Sequence, residues 1–282
     1  MKSSLPASLI ALVVSTAAFS QYRFQDKRPF TRCVNKWVVL NPKPDDPEYQ
    51  FGFIYVDEEA GFTYHLSGKL KIGKDGRLEK LNEETFDKKA TFKMRLERNG
   101  WATPLSGDQV QQLGLPESPA WLKSYDDGKN SVDHRIRVGY WTNHLGDPTE
   151  ALNYLESAYK ESPATPGLAF EISYAYNALG RYENAIQVLK FAVERDMKNV
   201  FLGSELAYSY LASGKNKEAI EQYLHFIQIC PDENERKAEM AINLAQAYEK
   251  LGDKDNYDKW LSNAKKWAKD GTPVAVFFKQ RS

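Results

Sequence analysis

Alternating apolar and polar positions mark the first third of the chain. Phe51, Phe53 and Tyr55, then Phe62, Tyr64 and Leu66, Leu70 and Ile72, and Phe92, Met94 and Leu96 are interleaved with Thr63, His65, Lys71, Thr91, Lys93 and Arg95. A period of two is that of a half-buried strand, so these runs predict a small antiparallel β-domain. Trp37 to Leu40 predicts one more strand, followed by a proline-rich surface loop over 41–47. Asp75-Gly76 and Asn99-Gly100 read as two-residue hairpin signals between such runs. From Gly107 the pattern changes. Asp108 is placed to cap a short helix ending near Gly114, and Pro116 and Pro119 punctuate a second around Trp121-Leu122. Leu113, Leu115, Trp121 and Leu122 are candidates to pack against the helices that follow. The polar run Asp126 to Ser131 predicts the domain boundary.

From about Ser131 to Ala268 the pattern repeats. Gly146, Gly180 and Gly214 are spaced 34 residues apart, and each is followed five residues on by Ala151, Ala185 or Ala219. Seven residues before each glycine stands a small residue, Gly139, Ser173 or Ala207, preceded by Val138, Ile172 or Leu206. A large residue recurs nine after it, at Leu155, Leu189 and Tyr223, and Pro163 and Pro231 close the first and third units. A fourth copy centred on Gly252 follows Gly214 by 38 residues, with the extra residues near Asp232 to Lys237.

Small residues let two helices approach closely, and each glycine can take the left-handed conformation that ends a helix. Asp147, Pro148 and Glu150 read as an N-cap, a first-turn proline and a capping-box partner. One helix pair cannot bury its own apolar face, so stacking of pairs must supply the core.

On these columns, and on the stretch "YAYNALGRYENAIQVLKFAVERD", the chain resembles the tetratricopeptide repeat family, whose unit is two antiparallel helices. The resemblance covers four repeats and about half of the chain. Together with the alternating runs before it, this gives an α+β protein: a small antiparallel β-domain with short C-terminal helices over 21–130, then an all-α solenoid of about four helix pairs over 131–270. Three positions depart from the family pattern: Thr142 replaces an aromatic, Phe226 replaces a small residue, and Tyr257 replaces an inter-helix alanine. They predict wider packing at those places. Residues 271–282 form either a cap over the last apolar face or a docking tail.

Residues 1–20 carry Lys2, the apolar run Leu9 to Val14 and the small residues Ala18 and Ser20 around Phe19, the pattern of a secretory signal peptide cleaved before Gln21. The run is short of the ~20 residues that span a bilayer. A periplasmic or secreted protein is expected. With 38 basic and 38 acidic residues the chain has no global electrostatic reason to bind nucleic acid. Cys33 and Cys230 are left as either a domain-linking disulfide or two separate buried thiols.

No catalytic constellation is present. His65, His134, His144 and His225 are scattered, Asp57 to Gly61 lacks the alternating oxygen ligands of a calcium loop, and Gly73 to Gly76 is a hairpin turn and not a phosphate loop. A non-enzymatic protein is expected, with neither cofactor nor metal. The sharper signal is a second ladder: Tyr140, Tyr174 and Tyr208 also recur every 34 residues. Two positions along a helix advance ~200°, so they point away from Tyr176 and Tyr210. In the family this resembles, that face lines a concave groove, which implies a partner-binding set of Tyr140, Asn143, Phe170, Tyr174, Asn177, Tyr208, Leu211 and Gln246, with Ile136 and Asn243 alongside. Tyrosines with asparagines suit an extended peptide of an envelope protein. Ile136, Phe170 and the tyrosines replace the lysines and asparagines with which family members clamp a C-terminal carboxylate. The ladder could instead pack on the chain's own linker or β-domain, or only on neighbouring helices. A second function class is a glycan-binding sheet, with Trp37, Tyr49, Tyr64 or Trp101 exposed for stacking.

Overall fold

The computed structural model describes residues 24, 26–40, 48–81, 92–125, 131–231 and 235–280. The proposed signal peptide, the proline-rich loop at 41–47 and most of the 126–131 junction lie outside them. The chain divides after Asp127 into two units.

In the first unit the centre of an antiparallel sheet is built from β2 (Lys36–Leu40), β3 (Tyr49–Asp57) and β4 (Gly61–Ile72). Four short strands complete it: β1 (Arg28–Pro29), β5 (Leu78–Lys80), β6 (Lys93–Arg95) and β7 (Trp101–Pro104). The order is β1-β7-β2-β3-β4-β5, and β6 pairs with β4. Every long run expected to be a strand is one, but the central strand is not half-buried. Phe51, Phe53 and Tyr55 join Trp37, Val39 and Leu70 in a core on one face. The pleat sends Ile54 and Val56 to the other face, and these are buried as well. Leu113 and Leu122 enter that first core and Leu115 and Trp121 pack against it, so these four serve the sheet.

Turn chemistry is where the sequence misleads. Asp75-Gly76 does join β4 to β5, but the register Ile72↔Leu78 and the Gly73 N–H to Arg77 carbonyl bond leave Lys74, Asp75 and Gly76 as a three-residue loop. Gly76 alone takes the left-handed conformation there, at φ 77°. Asn99-Gly100 makes no hairpin, because β6 pairs with β4 whereas β7 pairs with β1 and β2. The β3–β4 hairpin is closed instead by the charged Asp57 to Gly61 turn, where the Asp57 carboxylate accepts from the Glu59 and Ala60 N–H groups, both at 3.0 Å. Ser106, not Asp108, caps the short helix α1 (Gly107–Gln112), in a reciprocal capping box with Gln109.

The second unit is four helix pairs: α2 (Val132–His144) with α3 (Pro148–Glu161), α4 (Leu168–Ala178) with α5 (Tyr182–Arg195), α6 (Val200–Ala212) with α7 (Asn216–Ile229), and α8 (Arg236–Lys250) with α9 (Lys254–Trp267). Gly146, Gly180, Gly214 and Gly252 lie between the helices of each pair with φ from 71° to 84°, in the left-handed region. Asp147 caps α3 by accepting from the Glu150 N–H at 3.2 Å, with Pro148 in the first turn. The Glu150 carboxylate accepts from Asn153, so the box is not closed in return.

Ala151, Leu155, Ala158, Ile172, Ala185 and Leu189 form the core of the first two pairs, and Ala207, Ala219, Tyr223, Ala241, Leu244 and Ala264 that of the last two. Thr142 is fully buried, its hydroxyl donating to the Val138 carbonyl at 2.7 Å. Phe226 does not widen the third pair: its ring occupies the space where a Cβ on Gly203 would stand. Large and small have exchanged places across the α6–α7 contact. Where the extra residues enter, Lys237 is buried and its ammonium donates to the Cys230 carbonyl at 3.2 Å, meeting the frayed end of α7. At the C-terminus Thr272 caps α10 (Pro273–Lys279), which buries Val274 and lays Phe278 on the last core. That is a cap.

Cys33 and Cys230 are both buried thiols. Cys33 sits near the Arg28 and Ala102 carbonyls, and burial pushes its pKa up to about 11. Such a thiol is inert at neutral pH.

Candidate functional site

Within the helical unit, α2, α4, α6 and α8 pack on one another in series, and each second helix packs on its own first helix and on the next. The first helices therefore form a continuous inner layer. On the face of that layer turned from the second helices stand Tyr140, Tyr174 and Tyr208, with 43%, 41% and 42% of their surface exposed. Their neighbours on the packed side are closed: Ser173 and Ala207 are fully buried, and Tyr176 is buried with its hydroxyl donating to Glu156 at 3.0 Å. The ~200° separation of the two tyrosine sets is what the sequence spacing requires.

The other expected positions divide. Gln246 is exposed and Phe170 half-buried on the ladder side. Leu211 is not on the surface; its side chain is part of the core with Ala207 and Tyr223. Asn143 and Asn177 are buried at 3% and 9% exposure and act as braces between repeats. The Asn143 amide nitrogen donates to the Glu171 carbonyl at 3.0 Å and to its carboxylate at 3.2 Å, while the far end of the amide, Oδ1, has no partner. One end of the Asn177 amide meets the Ser209 hydroxyl at 3.0 Å, and the other end is buried without a partner.

Two residues that the spacing could have revealed are Glu171 and Glu205. They too are 34 apart, and each lies three residues before a ladder tyrosine, on the same helix face. Burial raises the pKa of both above the ordinary carboxylate value. For Glu171 the Asn143 bond partly offsets this and the charge of Glu205 adds to it. For Glu205 the main offset is Arg236. Arg236 pairs with Glu205 at 3.4 Å, donates to Ser204 at 3.1 Å and lies 4.4 Å from the Phe201 ring centroid. Among the described residues Glu171 meets only the neutral Asn143 amide. Carboxylates on this face add a charge argument against clamping a C-terminal carboxylate.

On the sheet, Trp37, Tyr49 and Tyr64 are buried, and of the four aromatics considered for stacking only Trp101 is exposed. Trp121 closes over Phe53, Tyr55 and His65, with centroid separations of 6.2, 5.1 and 4.4 Å. These rings make a core and no flat platform. Elsewhere on the helical unit a cleft of about 290 Å³ lies between the loops at Pro163–Gly167 and Asp196–Asn199, beside Phe191 and Arg195. The Arg195 guanidinium is stacked 3.5 Å from the Phe191 ring centroid. Among the described residues no three metal-type side chains converge, and no helix is long and apolar enough to cross a membrane.

Comparison with known families agrees with the repeat geometry. Tetratricopeptide repeat models match residues 144–198 and, separately, 205–233 and 238–270. Among solved structures, one of MamA is similar at 21% identity over 52% of this chain and 84% of its own, with a TM-score of 0.46. The thermophilic TPR protein TTC0263 of Thermus thermophilus is similar at 20% identity over 56% and 84%, with a TM-score of 0.47. No curated protein matches the sequence.

Proposed function

The helical unit is an array of tetratricopeptide repeats, and from this premise we propose that the chain is a non-enzymatic scaffold of the cell envelope that holds an extended segment of a partner protein along the inner face of α2, α4, α6 and α8. The observation that carries this is the tyrosine ladder. Three large side chains at the same point of successive repeats stay more than two-fifths exposed, while the residues immediately before them are buried. Tyrosine offers an apolar ring and a hydroxyl at small entropic loss, which suits an extended backbone whose side chains vary. The leader-like residues 1–20 support an exported location, periplasmic or secreted.

The test is capture of partners from the native envelope fraction by the wild type and by a Tyr174→Ala/Tyr208→Ala variant whose helical circular dichroism matches it. A protein retained by the first and lost by the second is the expected result. Equal retention by both overturns the groove reading.

A further inference from the structure

Under the tyrosine ladder the polar groups are out of balance: Asn177 is left with an unpaired amide donor, and Asn143 with an unpaired amide acceptor beside a carboxylate. Glu171 lies half-buried on α4, three residues before Tyr174, and its carboxylate receives a single neutral hydrogen bond, from Asn143 at 3.2 Å. Among the described residues it has no cationic partner. Its counterpart Glu205, one repeat on, is neutralised by Arg236 at 3.4 Å. Asn143 donates to two oxygens of Glu171, which fixes the direction of its amide and turns Oδ1 away from them. That oxygen is buried with its residue and accepts from nothing. A buried acceptor without a donor is expensive. Here it stands beside a half-buried carboxylate with acceptor capacity to spare. The carboxylate lacks a group that brings N–H donors and a positive charge.

We infer that the groove selects segments carrying a lysine or arginine, whose cation sits between Tyr140 and Tyr174 against the Glu171 carboxylate. This rests on the groove reading above and adds the chemistry of its occupant. The geometry suits a cation: the tyrosine rings offer π faces to an ammonium or guanidinium, and the carboxylate offers charge in a place water reaches poorly. The first repeat carries Arg137 at the position of Glu171, and the third carries the already paired Glu205. The site is therefore local to the second repeat, and one basic residue at a fixed place in the segment is expected, not a basic run.

The test selects a random peptide library on the full chain and on two variants, Glu171→Gln and Tyr174→Ala/Tyr208→Ala. Glutamine keeps an oxygen for the Asn143 bond and removes only the charge. The wild type should enrich lysine or arginine at one position. Glu171→Gln should lose that enrichment and bind the selected peptide about tenfold more weakly, while the double alanine variant should retain no peptide. Selected peptides without a basic excess, or an unchanged basic excess with Glu171→Gln, overturn the cation claim and leave the groove standing. No peptide retained by the wild type overturns both. If Glu171→Gln does not fold, the selected peptide's affinity for the wild type across an ionic-strength series decides: a fall with added salt supports the charge contact, and a flat response overturns it.

Discussion

The two halves of this chain use aromatic side chains in opposite ways. In the sheet, Phe51, Phe53, Tyr55, Trp37 and Tyr49 all enter one core, and Trp121 closes over its edge. In the repeats the core belongs mainly to alanine, leucine and isoleucine, and three tyrosines are left outside it. A sheet with both faces covered needs bulk to fill the space between layers ~10 Å apart. Paired helices in a repeat need small residues, so that their axes come close. Aromatics without a place in that contact become surface. An aromatic residue therefore marks core in the first unit and, at these three positions, exposed surface in the second.

The comparison can be broken most sharply at Gly52. A Cβ there would collide with the His65 backbone carbonyl and with the Tyr64 ring, at the point where the β3–β4 register shifts. Gly52→Ala should cost about 3 kcal/mol or more, because a backbone carbonyl cannot step aside. Hydrogen exchange should show the sheet unprotected while the repeats keep their protection. In the repeats the matching change is Gly203→Ala, which forces a methyl group into the Phe226 ring. Its cost should be smaller, about 1–3 kcal/mol in chemical denaturation, and Phe226→Leu added to it should recover part of the loss.

Smaller effects sharpen the contrast between core and ladder. Glu171 holds its proton more tightly when folded than when unfolded, because burial raises its pKa and nearby Glu205 raises it further, against the Asn143 bond. Its ionisation therefore opposes folding: stability is lost as pH rises through the raised pKa and regained as it falls. Glu171→Gln should raise the melting temperature at neutral pH by a small amount, on the order of 1–2 °C, and flatten that slope. The ladder change Tyr174→Ala/Tyr208→Ala should shift stability least, within about 1 kcal/mol per site, since about two-fifths of each side chain is already in water and alanine favours the helix. A large loss of stability in that variant would mean the tyrosines are core after all.

Local rules made the repeats legible. The left-handed glycines, the small residues at Gly139, Ser173 and Ala207, and the Asp147 cap are all decided within one helix pair, so the spacing reveals them. Pairing in the sheet is decided elsewhere. Asn99-Gly100 has the composition of a hairpin turn, yet β6 finds its partner in β4, a long-range pairing that the two turn residues do not decide. The site was half legible for a related reason. Tyr174 and Tyr208 follow from helix geometry alone. Leu211 does not, because an apolar side chain at a groove margin turns into the core when the core has room. Glu171 and Glu205 obey the same spacing as the tyrosines, but a search for surfaces that stack and hydrogen-bond passes over the charges beneath them.

The exchange of Gly203 and Phe226 makes the third repeat unlike the others in a way that gives the array an address. At the position of Gly203 the other first helices carry Arg135, Ala169 and Ala241. A ring the size of Phe226 has its berth only opposite a residue without a side chain, so within a pair α7 fits α6 and no other first helix could take its place. An array of interchangeable units can zip out of step, each helix mated one repeat too early or too late. Here the ring and its glycine act as a keyed joint in the middle of the series, and any shuffled or shortened version of the array must move the two together.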